Sequence, residues 1–202
     1  MNTVHQAIQF LSAIDDDWAL LIHKTGVCNL EALSQQQPYE ALVRAVAYQQ
    51  LSTKAGNAIL AKLSVLFGGF PTPEKLASAP FDDLRAVGFS GRKIETIQAI
   101  ATGARTGLVP TRQEANAMSD EALIERLVVI KGIGQWTVEM LLIFTLGRID
   151  VLPADDLGIV EGYKRLKKLT TAPTRKEMQK IAQAWHPYRS IASWYLWRVP
   201  KD

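Results

Sequence analysis

An all-α fold is predicted by three features of the chain. Strand-like alternation is nearly absent, apolar residues recur at three- and four-residue spacing, and short Gly/Pro turns separate these stretches. About ten helices follow, taken in order. The first covers 3–24, with a break near 15–17 where three aspartates stand together, and a short helix at 29–34 comes next. A long helix over 39–66 precedes the loop GGFPTPEK (68–75), and 73–78, 81–87 and 91–106 follow it. The loop TGLVPTRQEANAMS (106–119) is the natural passage between lobes. The helix 119–130 has Ser119 as N-cap, Asp120 and Glu121 in its first turn, and Leu123, Leu127 and Ile130 on one face. The helix 135–146 carries Glu139 as its only charge and is apolar nearly all round, so it belongs in the interior and ends at Gly147. After Arg148 to Pro153, helices at 155–168, 174–184 and 187–198 complete the chain.

At 202 residues with 48% apolar content and mean hydropathy near zero, the chain can bury a good core in one or two lobes. A net charge of +3 and a pI of about 9.0 permit nucleic-acid binding without demonstrating it. The single cysteine, Cys28, excludes an intrachain disulfide and a four-cysteine iron-sulfur cluster. His5, His23 and His186 are scattered and offer no catalytic metal cluster. The N-terminus does not read as a secretory signal and no apolar run reaches membrane-spanning length, so a cytoplasmic location and no membrane partner are expected.

The most informative stretch is 127–158, LVVIKGIGQWTVEMLLIFTLGRIDVLPADDLG. Gly132 and Gly134 flank Ile133 between two helices, which allows a tight turn and a close approach of bare backbone N–H groups to a ligand. The N-terminus of the helix starting at Gln135 would suit a phosphate oxygen, and a plain interhelical turn fits the same glycines. Asp155 and Asp156 stand at a helix start, where aspartates commonly cap. A second reading is that one caps while the other presents an ionised carboxylate to a cleft. Trp136, Met140, Ile143 and Phe144 fall on one stripe of the central helix, and Trp194, Tyr195 and Trp197 crowd the last one. Core packing explains such aromatics, and so does a pocket for a cationic base, favoured by an electron-rich indole face.

The run from hairpin to aspartates resembles the helix-hairpin-helix DNA glycosylase superfamily. AVAYQQLSTKAGNAI (45–59), GFSGRKIETI (88–97) and WHPYRSIASWYLWR (185–198) resemble its alkylated-purine branch, the 3-methyladenine DNA glycosylase II type. The matches span about residues 39–200 in consistent order. The resemblance implies a single bilobal glycosylase domain over 1–202, with two helical lobes around a DNA-binding cleft. The middle lobe would cover about 39–112 and the C-terminal lobe about 113–202, with the N-terminal helices 1–38 packed on the latter. It implies the short form, without the N-terminal β-domain of longer bacterial enzymes, working as a cytoplasmic, bacterial-type, nucleoid-associated protein.

The function so implied is hydrolysis of the N-glycosidic bond of alkylated purines, of the 3-methyladenine and 7-methylguanine type, in duplex DNA by base flipping during base excision repair. Asp156 matches the essential aspartate, leaving Asp155 as the cap; Trp136 and Trp197 match aromatics that stack on the extruded base, and Met140 stands where some relatives carry an aromatic. A lysine occupies position 136 in the strand-cutting relatives; Trp136 here implies a monofunctional enzyme that leaves an abasic site. Gln50, with Leu51 as the alternative, matches the wedge that fills the vacated stack, although glutamines on a long helix can equally be solvated. Lys131, Gly132, Gly134, Gln135, Lys54 and Gly91, with Arg92 and Lys93, are the implied DNA-backbone contacts, and Arg189 is expected to pair with an acidic group. No cofactor is required for this hydrolysis; the backbone carbonyls of Val128, Ile130 and Gly132 are the implied ligands of a structural Na+ or K+. Double-stranded DNA with alkylated bases is the expected partner of a monomeric protein. Two other readings fit the residues: a non-catalytic helix-hairpin-helix DNA-binding module in which Asp156 only caps, and a glycosylase for another damaged base such as uracil, hypoxanthine or an oxidised base.

Overall fold

The computed structural model describes residues 3–33 and 35–201, and among them it holds thirteen α-helices and no strand. In chain order they are α1 Thr3–Ser12, α2 Asp16–Thr25, α3 Pro38–Tyr48, α4 Thr53–Phe67, α5 Pro73–Ala77, α6 Phe81–Val87 and α7 Gly91–Thr106. They continue with α8 Arg112–Asn116, α9 Asp120–Leu127, α10 Gln135–Met140, α11 Leu157–Leu166, α12 Arg175–Ile181 and α13 Arg189–Leu196. The helices group into two compact units: Met1–Ala32 with Leu142–Asp202, and Leu33–Leu141.

The first unit has a core of Leu11, Trp18, Ile159, Met178, Trp185, Ile191 and Tyr195. Trp18 and Trp185 meet edge to face with centroids 5.4 Å apart, filling the volume that smaller residues would leave void. The expected break near 15–17 is present because Asp15 caps α2, accepting from the Trp18 amide at 3.1 Å. Asp15 and Asp17 also hold Lys167 at 2.6 and 2.9 Å, tying α2 to the end of α11. Gly162 lets α13 lie close to α11, since a Cβ there would collide with the Leu196 carbonyl.

The second unit is built round α7, whose Ile94, Ile97, Ile100 and Ala101 are wholly buried against α3, α5 and α6. Leu42, Val43 and Val46 of α3 supply the facing surface at the three- and four-residue spacing of a helix stripe. Ser90 caps α7 and Ser119 caps α9, the latter as expected.

Four boundaries differ from expectation. The helix expected over 39–66 splits into α3 and α4, because Tyr48–Leu51 forms a turn and Ser52 starts a new helix by accepting from the Ala55 amide. The segment expected as a helix at 29–34 is irregular through 33, and Ser34 lies outside the described residues. The loop 106–119 contains α8, started by a capping box in which Thr111 and Glu114 satisfy each other's backbone amides. The helix expected over 135–146 is α-helical only to Met140 and continues as a π-helical turn over Leu141–Thr145. The units also divide at Leu141 rather than near 112: α9 is fastened to the segment before it by Arg126, whose guanidinium donates to the Gly107 and Leu108 carbonyls.

Candidate active site

In the Leu33–Leu141 unit, α9 ends at Leu127 and a tight turn leads through Gly132 and Gly134 into α10. Gly132 has φ +93°, a conformation other residues enter only with strain, and a Cβ there would also collide with the Thr96 hydroxyl. Thr96, buried on α7, donates to the Lys131 carbonyl at 3.1 Å. Gly134 is the N-cap of α10, and open space lies where its Cβ would be, so the backbone there can be approached closely. Lys131 faces Glu95 at 3.5 Å with both side chains largely in solvent, a pair of little energetic weight. Gln135 donates to Glu139 at 2.8 Å, one turn along α10. Trp136 is 46% exposed and Met140 half-buried. The stripe expected from Trp136 to Phe144 is not continuous: the π-helical turn resets the register, burying Ile143 fully.

The Gln49-Gln50-Leu51 stretch lies in the same unit. The Leu51 amide donates to the Tyr48 carbonyl at 3.0 Å, closing a turn in which Gln49 has φ −50° and ψ 125° and Gln50 has φ +56°. This is the pattern of a type II turn, with glutamine where glycine is favoured. Gln50 and Leu51 are both exposed. Lys54 is exposed in the first turn of α4, and Gly91 opens α7. Lys93, expected at the DNA backbone, turns its ammonium inward, donating to the Ala47 carbonyl at 3.0 Å and the Gln49 carbonyl at 2.8 Å. Burial lowers its pKa.

In the other unit, Asp156 is half-buried at the start of α11. Its Oδ1 accepts from the Ile159 amide at 3.0 Å and from the Trp197 indole N–H at 2.8 Å. Asp156 is therefore the cap itself, correcting the expectation that Asp155 would take that role. Asp155 is exposed and pairs with Arg175 at 2.6 Å. Trp197 stacks on Phe144, ring centroids 5.7 Å apart and planes 27° from parallel. The indole can sit there because residue 158 is glycine; an added Cβ would lie 2.8 Å from Trp197 Cδ1 and 3.1 Å from Asp156 Oδ1. A cavity of about 230 Å³ adjoins this pair, walled by Leu30, Phe144, Trp194 and Trp197, with Asn29, Glu31 and Arg198 at its polar side.

The chain entering this site is anchored from α13. Arg189 forms a fork on Asp150, with Nε 2.7 Å from Oδ1 and Nη2 2.8 Å from Oδ2, and its amide also donates to Oδ1. His186 Nδ1 lies 2.6 Å from Oδ2. Burial alone would raise the Asp150 carboxyl, but the donors of Arg189 and His186 outweigh it and hold the pKa below the ordinary carboxylate value. The buried Ser190 hydroxyl donates to the Arg148 carbonyl and accepts from the Val151 amide.

A glycine-turned hairpin, a carboxylate held by two N–H donors one helix later, and an aromatic beside that carboxylate are thus all present in a chain whose described residues hold helices and no strand. A family model described as HhH-GPD superfamily base excision DNA repair protein matches residues 43–187. The chain belongs to that superfamily. DNA-3-methyladenine glycosylase 1 of Schizosaccharomyces pombe is 47% identical over 194 residues, covering 95% of this chain and 85% of that protein. The alkylbase DNA glycosidase-like protein mag2 of the same organism is 39% identical, covering 97% of this chain and 93% of its own. The structure of the S. pombe 3-methyladenine DNA glycosylase in complex with abasic DNA superposes with a TM-score of 0.86 at 47% identity, covering 96% of this chain and 95% of that one.

Within this HhH-GPD chain, sequence reasoning missed Asp150, Gly158, Ser190 and Thr96. Gly158 follows Asp156 by two residues, and its position alone could have marked a close approach. Asp150 and Thr96 act through partners 39 and 35 residues away, which no local pattern reveals. Among the described residues, no group of three or more His, Cys, Asp and Glu side chains is placed to hold a metal ion.

Proposed function

We propose that this protein is a monofunctional DNA glycosylase that extrudes alkylated purines from duplex DNA and hydrolyses their N-glycosidic bond, leaving an abasic site. The observation that carries the reading is the Asp156 carboxylate with Oδ1 gripped by the Ile159 amide and the Trp197 indole, in a chain of the HhH-GPD superfamily. A methylated purine is cationic, so cleavage returns the bond's electron pair to the ring and neutralises it; no strong acid is required. Positive charge develops instead on the sugar. An ionised Asp156 stabilises that charge and orients a water, whose oxygen bonds to C1′ and whose proton passes to solvent. A carboxylate already fixed by two donors needs little reorganisation as the charge appears.

The exposed indole of Trp136 offers a face that favours a cationic ring over a neutral one, and the cavity beside Trp197 is walled by further aromatics. Tryptophan at 136, where strand-cutting relatives carry a lysine, supports hydrolysis without an amine nucleophile. Double-stranded DNA is the partner, its backbone met by the hairpin at Lys131, Gly132, Gly134 and Gln135 and by Lys54 and Gly91, with Gln50 or Leu51 as wedge. A Na+ or K+ would be held by the carbonyls of Val128, Ile130 and Gly132. The Ile130 carbonyl accepts from the Ile133 amide and the Gly132 carbonyl from Gln49, which leaves each a second lone pair, and neutral oxygens suit such an ion.

The test is free-base release from duplexes carrying 3-methyladenine, 7-methylguanine, uracil or 8-oxoguanine. Release of the methylated purines is expected, with the neutral bases slower by about tenfold or more. Comparable release of uracil or 8-oxoguanine would overturn selection by charge, and binding without release of any base would make the protein a DNA-binding module.

A further inference from the structure

We infer that Lys93 is a positioning residue for base extrusion, acting inside the protein by fixing the Tyr48–Leu51 turn relative to the hairpin; this rests on the glycosylase reading above. The exposed Gln50 is held at φ +56°, where a non-glycine side chain is strained and relaxes unless its surroundings hold it. The Lys93 ammonium supplies that hold. It donates to two carbonyls at the end of α3, those of Ala47 and Gln49, where a positive charge also opposes the negative end of the helix dipole. One turn along α7 from Lys93, Thr96 donates to the Lys131 carbonyl of the hairpin. Gln49 then closes the circuit directly, its Nε2 donating to the Gly132 carbonyl at 3.2 Å. A single rigid helix, α7, therefore sets the spacing between the element proposed to enter the base stack and the element proposed to grip the backbone. Charge of the kind usually credited to phosphate contact is spent here on geometry.

Single-turnover excision of 7-methylguanine tests this in two contexts: opposite cytosine in an intact duplex, and opposite a mismatched base, where extrusion is easier. Lys93→Met is expected to slow excision from the intact duplex about tenfold, the scale of lost charge-assisted hydrogen bonds, and from the mismatched duplex about threefold or less. Lys93→Arg, which keeps the charge and donors, should restore most of the rate. Because Lys93 works through the turn, Lys93→Met added to Gln50→Ala should cost little beyond Gln50→Ala alone. Equal losses in both contexts, or additive effects in the double variant, would overturn the inference. The Leu51 amide gives a readout independent of activity: its hydrogen exchange should rise about tenfold in Lys93→Met as the turn loosens. Unchanged exchange would overturn the inference even for a wild type that releases no methylated base and so refutes the glycosylase reading itself.

Discussion

Asp156 does two things with one oxygen: it starts α11 by capping the Ile159 amide, and it receives the Trp197 indole N–H. Trp197→Phe removes the second donor while keeping an aromatic ring at the position that stacks on Phe144. Losing one hydrogen bond to a charged group costs about 1.5–3 kcal/mol, so kcat should fall about 10- to 100-fold with KM little changed. Steady-state kinetics check this, and a rise in KM with kcat unchanged would make Trp197 a binding surface only. At this scale the sequence shows that an aspartate should stand at the head of α11, because the apolar pattern of Leu157, Ile159 and Val160 marks the helix behind it. It does not show which aspartate caps, since that depends on Arg175 reaching Asp155 from twenty residues away.

The elements that carry these residues are joined by loops whose rigidity comes from polar anchors. The Arg189–Asp150 fork ties the approach to Asp156 onto the start of α13, the helix that ends at Trp197. The Asp150 pKa is lower in the folded protein than in the unfolded chain. Its contribution is therefore complete above the ordinary carboxylate pKa of about 3.9 and is lost as pH falls through the lowered folded value. Arg189→Gln should cost about 1–2 kcal/mol at pH 7, discounted because Arg189 is partly in solvent, and the difference from wild type should shrink toward zero in strong acid. Thermal unfolding of both proteins across that range measures it; a difference independent of pH would mean that lost packing, not the ion pair, is responsible. Helix content was readable from periodicity, but the π-helical turn after Met140 was not, because apolar residues surround the helix and leave no phase to read.

Over the whole molecule, a chain with a net charge of only +3 must bind DNA with a few well-placed cations. Lys54 is exposed and Lys93 is committed to carbonyls. Lys54→Ala should reduce the slope of log affinity against log salt by about one, and Lys93→Met should leave it unchanged. Fluorescence titration at several salt concentrations separates them, and equal slope changes would return Lys93 to the DNA-contacting set. The all-α class was legible at this scale because many of the described helices start at Ser, Thr or Asp caps and several end at Gly turns. The division at Leu141 was not, because it falls inside continuous helical sequence.

The most direct test compares wild type with Asp156→Asn for release of methylated purine from duplex DNA and for binding to an abasic-site duplex. Asparagine caps helices as well as aspartate and can still accept from the indole, so the substitution removes charge and leaves the fold in place. The account predicts that release falls by several orders of magnitude while abasic-site binding persists. Near-wild-type release by Asp156→Asn would show that this carboxylate is a cap alone and that the chemistry lies elsewhere.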